Sequence, residues 1–269
     1  MLIWLYACSF FATGIVPEEQ TVSSNSNDEL SVSNSQEKVP SVRNVDVEIA
    51  SGTPDATVDD TGEVVENLDI KVWPLPNERH RKELTVAYLE AHSHGFVKTG
   101  DIEKDSRMIP RVITLHWTAG PSKESTHRYF SSATLSGRKV LKRAGALNVG
   151  SQFLVDRNGD IYRLVDETRI VRHVIGMNHV SIGVENVGGG DKWPLTPDQI
   201  DANIKLVRYL TEKYPITHLI GHFEYRGMEG HPYFDEKDPN YRTRKSDPGP
   251  DFMKAVRAGV SDLGLMGAD

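Results

Sequence analysis

Three residues of metal-ligand type close three separate segments in the second half of the sequence: His116 in VITLHWTAG, His222 in LIGHFEY and Asp247 in RKSDPGP. Two histidines and a carboxylate can hold Zn²⁺ and leave a fourth position for water or substrate. An acid, Glu185, ends the apolar run SIGVEN between the two histidines, and Lys245 stands two residues before Asp247. A metal, a base and a cation together are what hydrolysis of an amide requires. Each residue also has a plainer reading. A strand-end histidine can simply pack, an Asp before Pro can cap a helix, and Glu185 can face solvent on an edge strand. The three ligand types are more telling together, because each ends a core element where ligands can converge. The chain has ten histidines, so other triplets stay open. His80, His92, His94 and His218 read as surface or locally hydrogen-bonded residues, and His127 as a packing residue on a helix. His173 and His179 could line a groove, and His231 could approach the site from a long loop.

The elements that must position these residues follow from periodicity. Arg111–Trp117 is a β-rich run that reads as a central strand, with His116 near its C-terminal end, where sites gather in open α/β sheets. Val180–Val187 is a second apolar strand whose alternation puts Glu185 and Val184 on opposite faces. Ile216–Gly221 is a third, leading straight into His222. Ser151–Val155 and Asp160–Val165 flank Asn158-Gly159 and predict a hairpin. Helices are expected over Arg79–His92, Ser125–Thr134 and about Asp251–Val260. Another runs from Thr196 to about Lys213, with Thr196 as N-cap, Pro197 in the first turn and Gln199 at the third position. Strands alternating with helices predict an α/β fold, a central mixed sheet flanked by helices.

Composition divides the chain. Residues 1–70 carry thirteen acidic against two basic residues, a net of −11, whereas residues 71–269 carry 25 acids and 29 bases, a net of +4. A weakly positive body suits an anionic polymer or surface, but lacks the dense basic patch of a nucleic-acid binder. Residues 1–16 read as a leader. MLIWLYACSFFATG holds the single cysteine, Cys8, in a Leu-Tyr-Ala-Cys setting that resembles a bacterial lipobox. The expected location is therefore the cell envelope, on the periplasmic side, with a lipid anchor through Cys8. The apolar run stops near Val16, short of the ~20 residues a membrane-spanning helix needs. Residues 17–70, rich in Ser, Asn, Asp and Glu, read as a disordered acidic tether, and 71–269 as the folded domain. One cysteine excludes an intrachain disulfide. A monomer is the expected state.

Four motifs in order extend this reading. Leu115-His116-Trp117-Thr118-Ala119, the hairpin Phe153–Tyr162, Ser181-Ile182-Gly183-Val184-Glu185, and Gly221-His222 followed by Lys245-Ser246-Asp247-Pro248-Gly249 resemble the type 2 N-acetylmuramoyl-L-alanine amidases. This zinc family also includes peptidoglycan recognition proteins and a phage lysozyme. The resemblance covers about residues 108–257. It implies His116, His222 and Asp247 as ligands of one zinc ion, Glu185 as general base for the attacking water, and Lys245 as the group that stabilises the oxyanion or orients substrate. The bond implied is the amide between the lactyl group of N-acetylmuramic acid and L-alanine of the peptidoglycan stem peptide. Two other functions share these residues: a non-catalytic muropeptide-binding module, and a cytoplasmic amidase for anhydro-muropeptides. The chain departs from simpler members in a 22-residue insert, 223–244, which could wall the substrate groove or close on its own packing. It also carries Arg-His-Val-Ile-Gly-Met-Asn-His in place of the more usual Trp-His-Ala-Gly approach to the Glu185 strand.

Overall fold

A computed structural model describes residues 68–268. The expected leader, Cys8 and nearly all of the expected tether lie outside them. Among the described residues no helix is long and apolar enough to cross a membrane.

The domain is built on a six-stranded mixed sheet in the order β1-β4-β3-β5-β2-β6. Its strands are β1 (Ile70–Val72), β2 (Val112–Trp117), β3 (Phe153–Val155), β4 (Ile161–Arg163), β5 (Ser181–Asn186) and β6 (His218–Gly221). β3 and β4 form the antiparallel hairpin, closed at Gly159, whose φ of 84° suits glycine. β2 lies between β5 and β6, parallel to both. β1 begins at Ile70, one residue ahead of the boundary expected at 71, because its backbone pairs in parallel with β4.

The helices are α1 (Glu78–His92), α2 (Ile102–Asp105), α3 (Lys123–Ser131), α4 (Lys139–Arg143), α5 (Pro197–Lys213) and α6 (Pro250–Gly259). α3 starts and stops earlier than its periodicity predicts. The Ser122 hydroxyl accepts from Ser125 N and caps the helix there, and Ser132 turns to extended backbone. α5 starts where the sequence indicates. Thr196 and Gln199 form a reciprocal capping box with Pro197 in the first turn. The stretch after β6, expected as loop, opens with a 3₁₀ turn over His222–Met228.

Strand alternation sorts the two sides of the sheet. Ile113 and Leu115 of β2, Ile182 and Val184 of β5, and Leu219 of β6 join Leu206, Val207 and Leu210 of α5 and Phe252, Met253 and Val256 of α6 in the main core. The intervening residues, among them Thr114, His116, Ser181 and Glu185, face the other way. There the packing partners are Tyr88, Val174, Met177, Tyr225 and Tyr241. The polar residues of the central strands therefore share one face, backed by a dry layer that holds the strands rigid.

Candidate metal and catalytic centre

Parallel pairing of β5, β2 and β6 brings three C-terminal strand ends together. In register His116 stands beside Glu185, and His222 follows directly on β6. Asp247 precedes α6 and is drawn in by its own carbonyl, which accepts from Phe223 N at 2.9 Å. The side chains converge. His116 Nδ1 lies 2.9 Å from His222 Nδ1 and 3.2 Å from Asp247 Oδ2, and His222 Nδ1 lies 2.9 Å from the same oxygen. Both histidines are buried. Bonds of ~2.0–2.2 Å in tetrahedral geometry set neighbouring ligand atoms about 3.3–3.6 Å apart. The triangle matches that spacing to within a few tenths of an ångström, so the donor set fits a zinc-sized cation.

The electrostatics suit the same use. Burial, with help from the neighbouring His222, lowers His116 to about 4, and burial also lowers His222. Both shifts favour the neutral ring that ligation requires. Burial opposes ionisation of Asp247, but the two imidazoles outweigh it and hold its carboxyl far below the usual range. Glu185 is pushed the other way. Burial raises it well above the ordinary carboxylate value and the Asp247 charge adds to this, while Arg138 and Lys245 partly offset it. Its Oε2 is buried without a hydrogen-bond partner. Lys245 is lowered, mainly by burial. A raised acid and a lowered amine beside a metal-type triad are perturbed groups of the kind that cluster at functional sites.

These residues share a cleft of about 380 Å³. Its floor is His116, His173, His222 and Asp247, and Glu185 and Lys245 also line it. The walls come from Trp117–Gly120, α3 with Tyr129, Arg138, and Tyr241 and Thr243 of the insert. Trp117 rests on Gly189, where a Cβ would come within 2.3 Å of the indole, so the glycine run after β5 is the seat of that wall. The insert is itself anchored. Asp235 accepts from Ser93 Oγ, His94 N and Gly95 N, Glu236 pairs with His92 at 2.8 Å, and the Tyr241 hydroxyl accepts from Arg172 at 2.8 Å. It is thus a cleft wall packed on the C-terminal end of α1.

All five residues singled out by sequence meet in this cleft. The other histidines divide differently. His92 and His218 are buried rather than superficial; His218 has the expected local hydrogen bond, with Thr217 Oγ1 at 2.8 Å, whereas His92 is reached by Glu236, 144 positions away, a partner no local pattern reveals. His127 stacks flat on Trp73 at 4.0 Å. Neither His179 nor His231 lines the cleft; His231 packs edge-on to His218 and Tyr233. His173 does line it, but by touching His116 through the ring nitrogens at 3.0 Å. On the buried face of α5, the sequence marks Gln199 only as a cap and gives Asn203 no role. Gln199 donates to the carbonyls of Val155 and Val187. Asn203 donates to Asn186 Oδ1, and Asn186 donates to the His116 carbonyl at 3.0 Å. Two amides on an otherwise apolar helix face were the available signal, since buried amides need partners.

The chain is similar to several known proteins. The endolysin of Escherichia phage T7 is 37% identical over 92 residues, which is 32% of this chain and 61% of the endolysin. The endolysin of Enterobacteria phage K11 is 32% identical over 92 residues, with the same coverage. The chain thus spans less than two thirds of the length of these curated relatives. Among solved structures, the amidase LysC from Clostridium intestinale URNW aligns at 23% identity and TM-score 0.42, over 57% of this chain and 87% of that one. Human PGRP-IBETAC, solved with glycosamyl muramyl pentapeptide, aligns at 18% identity and TM-score 0.40, over 56% and 85%. Residues 106–250, more than half of the chain and inclusive of His116, Glu185, His222, Lys245 and Asp247, match the family described as N-acetylmuramoyl-L-alanine amidase, and it is to this family that the chain belongs.

Proposed function

We propose that this protein hydrolyses the amide between N-acetylmuramic acid and L-alanine of peptidoglycan stem peptides, using one zinc ion held by His116, His222 and Asp247. The observation that carries the reading is the convergence of their three ligand atoms at 2.9–3.2 Å in a cleft shared with Glu185 and Lys245. Zinc bound there supplies Lewis acidity, which acidifies a water and polarises the scissile carbonyl.

The chain's own residues do the rest. Glu185 takes the proton of the attacking water and hands it to the departing amine; its raised affinity for protons suits both halves of that transfer. Lys245, protonated, places positive charge where the carbonyl oxygen turns negative, and its partial burial strengthens that interaction relative to water. Trp117 and Tyr241 offer ring surfaces on the cleft walls against which a sugar or a stem peptide can lie. The weakly basic folded part suits an anionic wall polymer. The lipobox-like setting of Cys8 and the acidic stretch after it support placement in the cell envelope on the periplasmic side, anchored through that cysteine.

The test is mass spectrometry of peptides released from purified peptidoglycan, with and without chelator. Release of intact L-alanine-headed stem peptides that chelator abolishes supports the reading. Tight binding without release makes the protein a recognition module instead. Cleavage of soluble anhydro-muropeptides but not of intact sacculi makes it a recycling amidase.

A further inference from the structure

His173 is buried beneath the triad and is not one of its three ligands. Its Nε2 stands 3.0 Å from the Ser181 carbonyl, and its Nδ1 stands 3.0 Å from His116 Nε2. A carbonyl oxygen can only accept, so His173 Nε2 carries a proton and donates. The contact of Nδ1 is His116 Nε2, and among the described residues no carboxylate touches the ring to hold a second proton there. His173 Nδ1 is therefore a bare lone pair, and His116 Nε2 must be the donor toward it. That choice leaves His116 Nδ1 without a proton, turned toward His222 Nδ1 and Asp247 Oδ2.

The rest of the neighbourhood holds His173 in this pose. Its backbone N–H and that of Val174 both donate to Asn178 Oδ1, at 2.8 and 2.9 Å. The two imidazoles meet edge to face, at 84° and 5.2 Å between centroids. Gly183, in the SIGVEN strand, lies directly under the ring. A Cβ there would come within 2.8 Å of His173 Cγ, so the glycine is what admits the ring.

We infer that His173 is a positioning residue, which through the Ser181 carbonyl fixes the tautomer and orientation of His116 so that Nδ1 is the metal-binding atom. The inference rests on the reading of the triad as a zinc site, but its first consequence concerns the metal-free protein. Partners of this kind are worth ~10–100-fold in metal affinity.

The experiment has two arms on the full chain. In the first, ¹⁵N imidazole spectra of zinc-free wild type at one neutral pH report which nitrogen of His116 is protonated. Protonated Nε2 with bare Nδ1 is expected. A protonated Nδ1 overturns the inference, whatever any variant does. In the second, zinc affinity is measured by competition with a chromophoric chelator. His173→Phe keeps a ring but loses the acceptor, and is expected to weaken zinc ~10–100-fold and to let His116 exchange between tautomers. His173→Asn returns an acceptor oxygen near the place of Nδ1 and is expected to recover most of the affinity. Equal affinity in wild type and His173→Phe overturns the inference while leaving the zinc site standing. Failure of wild type to bind zinc removes the metal reading and this assignment with it; the spectra of the first arm tell the two failures apart.

Discussion

Replacing Glu185 by Gln should make the domain a poorer enzyme and a more stable fold, and the two effects have separate physical origins. Burial and the Asp247 charge raise the Glu185 carboxyl well above its ordinary range, and its Oε2 has no hydrogen-bond partner. In the unfolded chain the same group ionises near ~4.3. Between those two values the folded protein holds a proton that the unfolded chain has released, so stability falls as pH rises through the window. Each pH unit of the window removes ~1.4 kcal/mol from the wild type. For a domain of about this size that is ~3–5 °C in melting temperature. The neutral amide escapes this loss. In chelator-treated protein the two forms should melt together below about pH 4, and the variant should melt progressively higher as pH rises until the folded-state pKa is passed. Activity moves the other way, because loss of a general base removes ~10²–10⁴ of rate. Scanning calorimetry across pH, paired with stem-peptide release by the zinc-loaded forms, measures both. A variant that melts lower than wild type at every pH would show a structurally paired carboxylate and refute the argument from burial. Unchanged kcat/KM would remove Glu185 from the chemistry.

Three further outcomes are expected. Asp235 is held below the usual carboxylate range; burial opposes its charge, but donors from Ser93, Gly95 and His94 outweigh it. Its contribution is therefore complete above ~pH 4 and fades as pH falls toward the folded-state value. Asp235→Asn should lose ~1.5–3 kcal/mol at neutral pH, with the gap closing in acid, as read from denaturant midpoints at several pH values. Arg138→Ala removes a cation that lowers the proton affinity of both Glu185 and Lys245. Both limbs of the pH profile of kcat/KM should move to higher pH, and a shift to lower pH contradicts the assignment. Leu206→Ala opens the fully buried face of α5 and should cost ~2–5 kcal/mol in urea unfolding. Activity per folded molecule should be retained, because α5 reaches the site through Asn203 and Asn186 rather than through Leu206.

The readable parts of the fold are those governed by local rules. α5 announces both ends because Thr196, Pro197 and Gln199 act within one turn, and β2, β5 and β6 announce themselves by short apolar runs that end in polar residues. The parts that escaped depend on distant partners. β1 is a strand only because β4 offers it an edge. α2 and α4 are four and five residues long, too short for periodicity to register. The burial of His92 depends on Glu236 in the insert, and the stack of His127 depends on Trp73.

The sequence by itself determined the chemistry available: two histidines and an aspartate at element ends, an acid in an apolar strand, a lysine two residues from the aspartate, and motifs in the order of one family. These are matters of residue type and spacing alone. Tertiary structure decided which of them meet and in what electrical state. Parallel pairing of β5, β2 and β6 put His116, Glu185 and His222 at one end of the sheet, and the backbone contact of Asp247 with Phe223 closed the triad. Burial then raised Glu185 and lowered His116, and placed His173 where it hydrogen-bonds His116. A side chain's proton affinity and its partner are properties of its surroundings, and those exist only once strands far apart in the chain have paired.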